Sequence, residues 1–305
     1  MKLTLATRGS KLALWQESAT RALLCALPSA PDVEKLIVES SGDRDQTSDL
    51  ARFGRIGIFT VEVDRALLDG RAEVGVHSLK DMTTTPEDGI VLAAVLARGP
   101  IEDVLVTPSG QSLDELPAGA RVATGSLRRA AMIKYTRPDL ETIGIRGNVE
   151  TRLRKLDDGA AEAIVLARAG LERLGLGDRI GEVLSVDRFV PAVGQGIVGL
   201  TCRADDDATR AVLESISDAD AWAAALAERA LLRALKGGCN VPAGGHATLK
   251  GDELTITARV LSVDGSEAVE STLRGARADA EAVGAQLAED MIAMGAGELV
   301  EAARS

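Results

Sequence analysis

The stretch VATGSLRRA, residues 122–130, joins an apolar run to a helical pattern through a serine, and LATRGSKLA, residues 5–13, repeats this arrangement near the start of the chain. A short apolar run predicts a buried strand, and a serine ahead of a helical pattern is a typical N-cap. Both stretches therefore predict a strand that leads directly into a helix. Repeated strand-to-helix junctions are typical of α/β sheets whose strands are mainly parallel.

Similar short strands and amphipathic helices surround both junctions. We predict a first helix that begins after Ser10 and ends before Pro28, and later helices that begin at residue 58, Ser126 and Asn148. Helical spacing assigns the buried face of the first helix to Leu12, Trp15, Ala19, Ala22, Leu23 and Ala26. The predicted strands cover residues 3–7, 33–40, 72–79, 90–97, 103–108, 121–126, 140–147 and 161–170.

The order of these elements predicts a discontinuous first domain. FVPAVGQGIVGLTCR, residues 189–203, is typical of extended chain that returns to the first sheet, which implies two lobes with a cleft between them. After residue 218, an alanine-rich helix, two antiparallel strands and a helix that ends at Gly295 predict an α+β domain. The fold class is therefore α/β, with two lobes and a smaller C-terminal α+β domain. The predicted boundaries are 1–98 with 194–217, 99–193, and 218–305.

The composition excludes several classes of function. Of the 305 residues 46% are hydrophobic and 27% are charged, and no apolar run reaches the length of about 18 residues that crosses a membrane. The net charge of −11 argues against nucleic-acid binding, which depends on neutralising phosphates. Three cysteines and two histidines lack the spacing of a disulfide framework or a metal site. We expect a cytoplasmic monomer that binds no nucleic acid, membrane or metal ion.

Arginine makes up 27 of the 35 basic residues, and several arginines lie next to predicted strand ends or helix starts. The guanidinium fork binds two carboxylate oxygens at once, and ligands of open α/β sheets bind at the carboxyl ends of the strands. For any one of these side chains taken alone, a weak surface ion pair is the better explanation. Together they predict an anion site built from Arg8, Arg128, Arg129, Arg146, Arg152 and Arg173.

Two further stretches contain residues suited to chemistry. VHSLKDM, residues 76–82, closes a predicted strand with Lys80 and Asp81, which strand alternation would point to opposite sides. A carboxylate among arginines can hold a cationic intermediate or transfer a proton. KGGCNVPAGG, residues 236–245, places Cys239 among glycines, where a thiol is either accessible to a bulky group or a small buried residue at a helix end.

Taken together, eight stretches resemble the porphobilinogen deaminase family in the family's own order. They are LATRGSKLALWQ, GIFTVEVDRALLDGRAEVGVHSLKD, ATGSLRRA, RPDL, RGNVETRLRKLD, LARAGLERLG, PAVGQGIVGL and ERALLRALKGGCNVPAGG, within residues 3–245. The resemblance implies three domains, of which the first two are similar to periplasmic solute-binding lobes. It also implies a transferase of tetrapyrrole biosynthesis, which deaminates four molecules of porphobilinogen and joins them head to tail into hydroxymethylbilane.

The same resemblance implies roles for individual residues. Cys239 would carry a covalent dipyrromethane cofactor through a thioether, and Asp81 would be the catalytic acid. The family's cofactor-binding positions match Lys80, Thr124, Gly125, Ser126, Arg128 and Arg129. Its substrate-binding positions match Arg8, Ser10, Phe59, Ser78, Arg146, Arg152, Arg173 and Gln195.

Two other functions are compatible with the arginine-rich junctions. A non-enzymatic anion-binding protein on the same two-lobed scaffold would use the arginines, but it would give Cys239 no role and would normally be exported. A phosphate-ester enzyme would use the helix N-termini, yet the sequence has no Walker-type lysine loop and no clear metal ligands. A covalent cofactor on Cys239 would therefore separate the three hypotheses.

Overall fold

The computed structural model describes residues 1–39, 60–238 and 241–304. The chain divides into two compact units. The first unit comprises Met1–Gly99 and Gly196–Trp222, and the second comprises Pro100–Gln195 and Ala223–Ser305. The predicted return of the chain to its first sheet is confirmed, because one unit contains both segments. The boundaries of three separate domains stay a prediction.

The described residues form thirteen strands and nine α-helices, numbered in chain order. The strands are β1 Lys2–Arg8, β2 Asp32–Val38, β3 Val74–Ser78, β4 Ile90–Val95, β5 Asp103–Val106, β6 Arg121–Ala123, β7 Glu141–Ile143, β8 Ala163–Ala167, β9 Glu182–Leu184, β10 Val198–Arg203, β11 Ala243–Lys250, β12 Glu253–Leu261 and β13 Ala268–Ala276. The helices are α1 Lys11–Cys25, α2 Val61–Leu68, α3 Leu127–Thr136, α4 Val149–Asp157, α5 Arg168–Arg173, α6 Asp207–Glu214, α7 Ala219–Ala234, α8 Ala280–Ala293 and α9 Ala296–Ala302.

The sheet of the first unit has the strand order β2-β1-β3-β10-β4. Strand β1 is parallel to β2 and β3, whereas β10 is antiparallel to both of its neighbours. The returning strand is therefore the one that runs in reverse. Alternation along β1 places Leu3 and Leu5 in one core and Ala6 in another, as expected for a sheet covered on both faces.

The α/β sheet of the second unit has the strand order β7-β6-β8-β5-β9. Strand β6 is parallel to β7 and β8, and β5 is antiparallel to β8 and β9. Successive residues of β6 again enter different cores, Val122 on one face and Ala123 on the other. The prediction of mainly parallel α/β sheets is confirmed, with one reversed strand in each. Strand β9 is missing from the prediction because three residues give no periodicity.

An antiparallel sheet, β11-β12-β13, completes the second unit. Ile256 of β12 packs in one core with Leu231 of α7 and Leu287 of α8. This arrangement confirms the predicted C-terminal α+β structure. Strand β11 is an addition to the prediction, because Gly244 and Gly245 weaken the strand signal at its start. Helix α9 is a second addition.

The buried face of α1 differs from the predicted one. Trp15 is 39% exposed and Leu23 is 42% exposed, so the apolar stripe does not mark the core. Polar residues take its place: the buried carboxylate of Glu17 accepts two hydrogen bonds from Arg21, at 2.9 and 2.7 Å. A buried polar residue is stable when it has such partners, and helical periodicity does not reveal them. The buried residues of α1 are Ala13, Gln16, Glu17, Thr20 and Leu24.

Candidate active site

In the first unit, the parallel strands β1 and β3 end side by side, β1 at Arg8 and β3 at Ser78. The carboxyl ends of parallel strands share one edge of a sheet, which is where α/β proteins bind ligands. Ser10 caps α1 directly after this edge, since its Oγ accepts a hydrogen bond from the N–H of Ala13 at 3.3 Å. The structure therefore brings the predicted residues Arg8, Ser10 and Ser78 to one edge.

Lys80 and Asp81 lie in a 3₁₀ turn, Leu79–Asp81, that follows β3 directly. The N–H of Leu79 donates to the carbonyl of Ile197 at 3.0 Å, and the Leu79 side chain is buried. The strand alternation that would separate Lys80 from Asp81 does not continue to these residues, because β3 ends at Ser78. Both side chains are half-buried beside the same sheet edge.

Beneath this edge the first unit has an ionisable pair that the sequence does not predict, a buried imidazole and a partly buried carboxylate. His77 Nε2 lies 3.1 Å from Oγ1 of Thr201 and 3.9 Å from Oδ1 of Asp64. Burial, with a smaller contribution from the charge of Arg8, lowers the pKa of His77 to about 4. Burial raises the pKa of Asp64 to about 6, although a hydrogen bond from Thr60 opposes this shift. At neutral pH the imidazole therefore gives the Asp64 carboxylate no positive charge.

Gln16 is a residue of this edge that sequence reasoning missed. Its side-chain Nε2 donates to Oγ of Ser78 at 2.7 Å, and its side chain is buried. Because Ser78 Oγ accepts this bond, the hydroxyl proton of Ser78 points elsewhere. The sequence does contain a signal that could have identified Gln16. It is a polar residue within LATRGSKLALWQ, on a predicted helix that begins at the sheet edge.

In the second unit, the neighbouring parallel strands β7, β6 and β8 end at one edge, and α4, α3 and α5 follow them. The predicted N-caps are confirmed: Ser126 Oγ accepts from the N–H of Arg129 at 3.5 Å, and Asn148 Oδ1 accepts from the N–H of Thr151 at 2.9 Å. The predicted residues that follow these strand ends are Thr124, Gly125, Ser126, Arg128, Arg129, Arg146, Arg152 and Arg173.

Arg128 and Arg129 enclose a fully buried carboxylate, Asp103 of β5. Nη2 of Arg128 lies 2.8 Å from Oδ2, and Nη2 of Arg129 lies 2.7 Å from Oδ1. Nε2 of Gln195 donates to the same Oδ1 at 2.9 Å. Burial alone would raise the pKa of Asp103, but the charges of Arg128 and Arg129 and the hydrogen bonds from Arg129 and Gln195 lower it well below its usual range. One negative charge thus fixes two guanidinium groups.

Arg128 and Arg129 also donate hydrogen bonds to backbone carbonyls inside the second unit. Nη1 of Arg128 donates to the carbonyl of Val190 at 2.7 Å, and Nη1 of Arg129 donates to the carbonyl of Val165 at 3.2 Å. The buried Nε of each arginine has no hydrogen-bond acceptor among the described residues. The structure thus shows Arg128, Arg129 and Gln195 as a buried network below the edge. Their contact with a ligand stays a prediction.

The other three arginines of this edge are only half-buried. Nη2 of Arg146 is buried, and within the described part of the chain it has no hydrogen-bond acceptor. Nε of Arg152 donates to the carbonyl of Gly147 at 2.7 Å. Burial lowers the pKa of Arg173. A guanidinium group with an unsatisfied buried donor is suited to bind a carboxylate.

Gly244 and Gly245, at the start of β11, pack closely against the backbone of Val190 and Pro191. The N–H of Gly245 donates to the carbonyl of Pro191 at 2.8 Å. A Cβ placed on Gly244 would lie 2.6 Å from the carbonyl oxygen of Val190, closer than real Cβ atoms approach oxygen. Glycine is therefore required at this contact between two backbone segments.

Two predicted site residues, Cys239 and Phe59, lie outside the described residues. Across residues 1–39, 60–238 and 241–304, no cluster of three or more His, Cys, Asp or Glu side chains could hold a metal ion. No helix in these same ranges combines the length and hydrophobicity needed to cross a membrane.

Two family models match the chain. "Porphobilinogen deaminase, dipyromethane cofactor binding domain" matches residues 3–211, and "Porphobilinogen deaminase, C-terminal domain" matches residues 222–293. The porphobilinogen deaminase of Syntrophotalea carbinolica is 44% identical over 300 residues, which cover 98% of this chain and 95% of that protein. The porphobilinogen deaminase of Nitrobacter winogradskyi is 45% identical over 290 residues, which cover 94% of this chain and 92% of that protein.

Solved structures show weaker similarity. The VFT2 domain of Bordetella pertussis BvgS is 18% identical, with a TM-score of 0.45 over 70% of this chain and 86% of that domain. A nutrient-binding protein of Burkholderia cenocepacia bound to methionine is 12% identical, with a TM-score of 0.45 over 70% of this chain and 90% of that protein.

Proposed function

The chain belongs to the porphobilinogen deaminase family, and on that premise we propose that it is a transferase of tetrapyrrole biosynthesis. It deaminates four molecules of porphobilinogen and joins them head to tail into the linear tetrapyrrole hydroxymethylbilane. The observation that carries the proposal is the arginine-rich edge of the second unit. Three neighbouring strand ends there are followed by guanidinium groups that suit a polycarboxylate.

The charge of the substrate explains the choice of arginine. Every porphobilinogen unit carries carboxylates, so the growing chain accumulates negative charge with each addition. A guanidinium group binds a carboxylate through two parallel hydrogen bonds, which a lysine ammonium cannot do. We assign substrate binding to Arg8, Ser10, Phe59, Ser78, Arg146, Arg152, Arg173 and Gln195.

The residues present also fit a dipyrromethane cofactor. The buried Nε atoms of Arg128 and Arg129, which lack hydrogen-bond acceptors among the described residues, are donors that a ligand carboxylate would satisfy. We assign attachment of the cofactor to Cys239, through a thioether. When bound, the cofactor supplies a nucleophilic pyrrole carbon from which the chain grows. The residues that would bind it are Lys80, Thr124, Gly125, Ser126, Arg128 and Arg129.

Asp81 carries out the proton transfers. Its carboxyl group gives a proton to the amine of porphobilinogen, which leaves as ammonia, and the remaining pyrrole is an electrophilic azafulvenium cation. The Asp81 carboxylate then stabilises this cation by accepting a hydrogen bond from the pyrrole N–H. Asp81 would then take up the proton that is lost from the carbon at which the new bond forms. Hydrolysis after four rounds releases the linear product.

We further infer that the protein acts in the cytoplasm as a monomer on a small-molecule substrate. The net charge of −11 disfavours association with nucleic acid or with an anionic membrane surface. The arginines are placed where α/β sheets bind small ligands, so the proposed chemistry needs no macromolecular partner.

The proposal is tested by the rate at which the purified protein consumes porphobilinogen. Asp81→Asn should lower kcat by at least about 100-fold, because it removes the group that transfers the proton. Asp88→Asn is the matched control in the following loop, where Asp88 is exposed, and it should keep the wild-type rate. A wild-type protein that consumes no porphobilinogen would contradict the function, whereas normal turnover by Asp81→Asn would remove only Asp81 from its role.

A further inference from the structure

The turn Leu79–Asp81 lies directly against strand β10 of the same unit. The N–H of Leu79 donates to the carbonyl of Ile197 at 3.0 Å, one residue before β10 begins. The N–H of Met82 donates to the carbonyl of Leu79 at 3.1 Å and closes the turn. The backbone on both sides of Asp81 is therefore held, directly or through the turn, at the start of β10.

Gly199 of β10 is the point where the side chains on either side of Asp81 meet. A Cβ placed on Gly199 would lie 3.1 Å from Cδ1 of Leu79 and 3.1 Å from Sδ of Met82. Cδ1 of Leu92 in β4 lies 3.2 Å from the same position. All three distances are shorter than an ordinary van der Waals contact of 3.4–4 Å, so these side chains fill the space that a Cβ would need.

The backbone of Gly199 cannot move away from these side chains without disrupting the sheet. Strand β10 lies between β3 and β4, and Gly199 pairs with His77 on one side and with Val95 on the other. Its φ lies outside the left-handed region, so an alanine can adopt the same backbone without strain. An added Cβ would therefore displace Leu79 and Met82 instead of the strand.

Leu79 has little freedom to yield by itself. Its side chain is 2% exposed, and its N–H is bonded to the carbonyl of Ile197. A Cβ on Gly199 requires its neighbours to shift by a few tenths of an ångström. Because Leu79 and Asp81 belong to one closed turn, a shift of Leu79 also moves the backbone of Asp81.

We propose that Gly199 is a positioning residue, which sets how closely the turn that contains Asp81 approaches β10. The inference rests on the proposed function, in which Asp81 transfers the proton. Gly199 has no side chain, so its effect on Asp81 passes through its contacts with Leu79 and Met82.

The test compares kcat and KM of Gly199→Ala with those of the wild-type protein, with porphobilinogen as the substrate. The value of kcat should fall about tenfold, because proton transfer depends steeply on the distance between the transferring group and the reacting atom. The value of KM should stay within about twofold of the wild-type value, because the arginines assigned to substrate binding are unchanged.

A compensating variant separates a change of position from general damage. Leu79→Val in the Gly199→Ala background shortens the side chain that the new Cβ approaches, so kcat should return to within about threefold of the wild-type value. Cys202→Val is the matched control, because Cys202 is buried in the same strand within the core that contains Leu3. It should lower the thermal midpoint by overpacking and leave kcat unchanged.

If Gly199→Ala does not fold, Met82→Ala tests the same contact from the side of the turn. Met82 is only half-buried, so its truncation disturbs the core less. It loosens the turn, and kcat should fall about threefold or more at unchanged KM.

Three results would overturn the proposal: a wild-type kcat in Gly199→Ala or, if that variant does not fold, in Met82→Ala; a loss that Leu79→Val does not restore; or an equal loss in Cys202→Val. A wild-type protein that consumes no porphobilinogen would instead contradict the proposed function itself. The two failures are therefore distinguishable.

Discussion

The carboxylates that lie beneath the carboxyl edges of the two α/β sheets have pKa values shifted in opposite directions. In the second unit, Asp103 lies between Arg128 and Arg129, and its pKa is held well below the usual range despite complete burial. In the first unit, Asp64 lies 3.9 Å from His77, which is neutral at pH 7, and burial raises the pKa of Asp64 to about 6. The fully buried carboxylate is compensated by positive charge, whereas the partly buried one is not.

This difference supports a division of tasks between the two units within the proposed function. Around Asp103, two positive charges share one negative charge, so the second unit keeps a net positive charge beneath the edge that carries the other arginines. Beneath the edge that carries Asp81, the His77–Asp64 pair adds no positive charge at neutral pH. We therefore assign binding of acidic groups mainly to the second unit and proton transfer to the first.

The largest expected effect comes from Asp103→Asn. The substitution leaves two buried guanidinium groups without their shared counter-charge, and breaking a buried ion pair from one side typically costs about 3–5 kcal/mol. The free energy of unfolding from urea titration should fall by that amount.

Asp114→Asn is the control for this prediction, because Asp114 pairs with Arg188 at 2.8 Å but is largely exposed. Exposed ion pairs contribute about 0–1 kcal/mol, so the free energy of unfolding should change little. Equal effects of Asp103→Asn and Asp114→Asn would mean that the compensated carboxylate is not a structural centre of the second unit.

Asp64→Asn in the first unit should change the free energy of unfolding in the opposite direction, so that the variant is more stable than wild type. The raised pKa means that the folded state binds a proton more tightly than the unfolded state, so stability falls as the pH rises from about 4 to about 6. Above that range the folded protein bears the full cost of an ionised Asp64. Removing the charge should therefore stabilise the protein by at most about 3 kcal/mol, since one pKa unit corresponds to about 1.4 kcal/mol.

The measurement is the free energy of unfolding of Asp64→Asn and wild type at pH 7.5 and at pH 4. The gain should appear at pH 7.5 and vanish at pH 4, where the folded protein already holds Asp64 protonated. A loss of stability at pH 7.5 would show that the carboxylate is compensated after all, and the contrast between the two sheets would disappear.

A smaller effect is expected from Gly125→Ala, which tests how closely two strand ends of the second unit approach. A Cβ at Gly125 would lie 2.9 Å from the carbonyl oxygen of Ile145, and such overpacking costs about 1–3 kcal/mol. Gly144→Ala is the matched control, because a Cβ there meets no atom within 4 Å, so its free energy of unfolding should change by less than about 1 kcal/mol. Equal effects would mean that the contact at Gly125 is not tight.

The strands and N-caps could be predicted from the sequence because their signals are local. The serine and asparagine at positions 126 and 148 lie three residues from the amides that they cap, and the apolar runs around them have clear lengths. The polar contacts of the core have no such signal. Asp103 is paired with Arg129, 26 residues away, and with Gln195, 92 residues away.

The same reason explains why the predicted buried face of α1 is wrong. Its hydrophobic stripe predicts burial of Trp15, but the helix instead buries Gln16, whose partner Ser78 is 62 residues away. A pattern within one helix cannot show which polar side chains find partners on another element. The family resemblance points to Asp81 and Cys239, yet it does not reveal Asp103, which fixes Arg128 and Arg129.

The measurement that tests the central claim most directly is the intact mass of the purified protein. Wild type should exceed its sequence mass of 31.8 kDa by one dipyrromethane, as should Cys25→Ser, in which an exposed cysteine is replaced. Cys239→Ser should have the sequence mass alone. A wild-type protein at its sequence mass, or an adduct that persists in Cys239→Ser, would contradict the account.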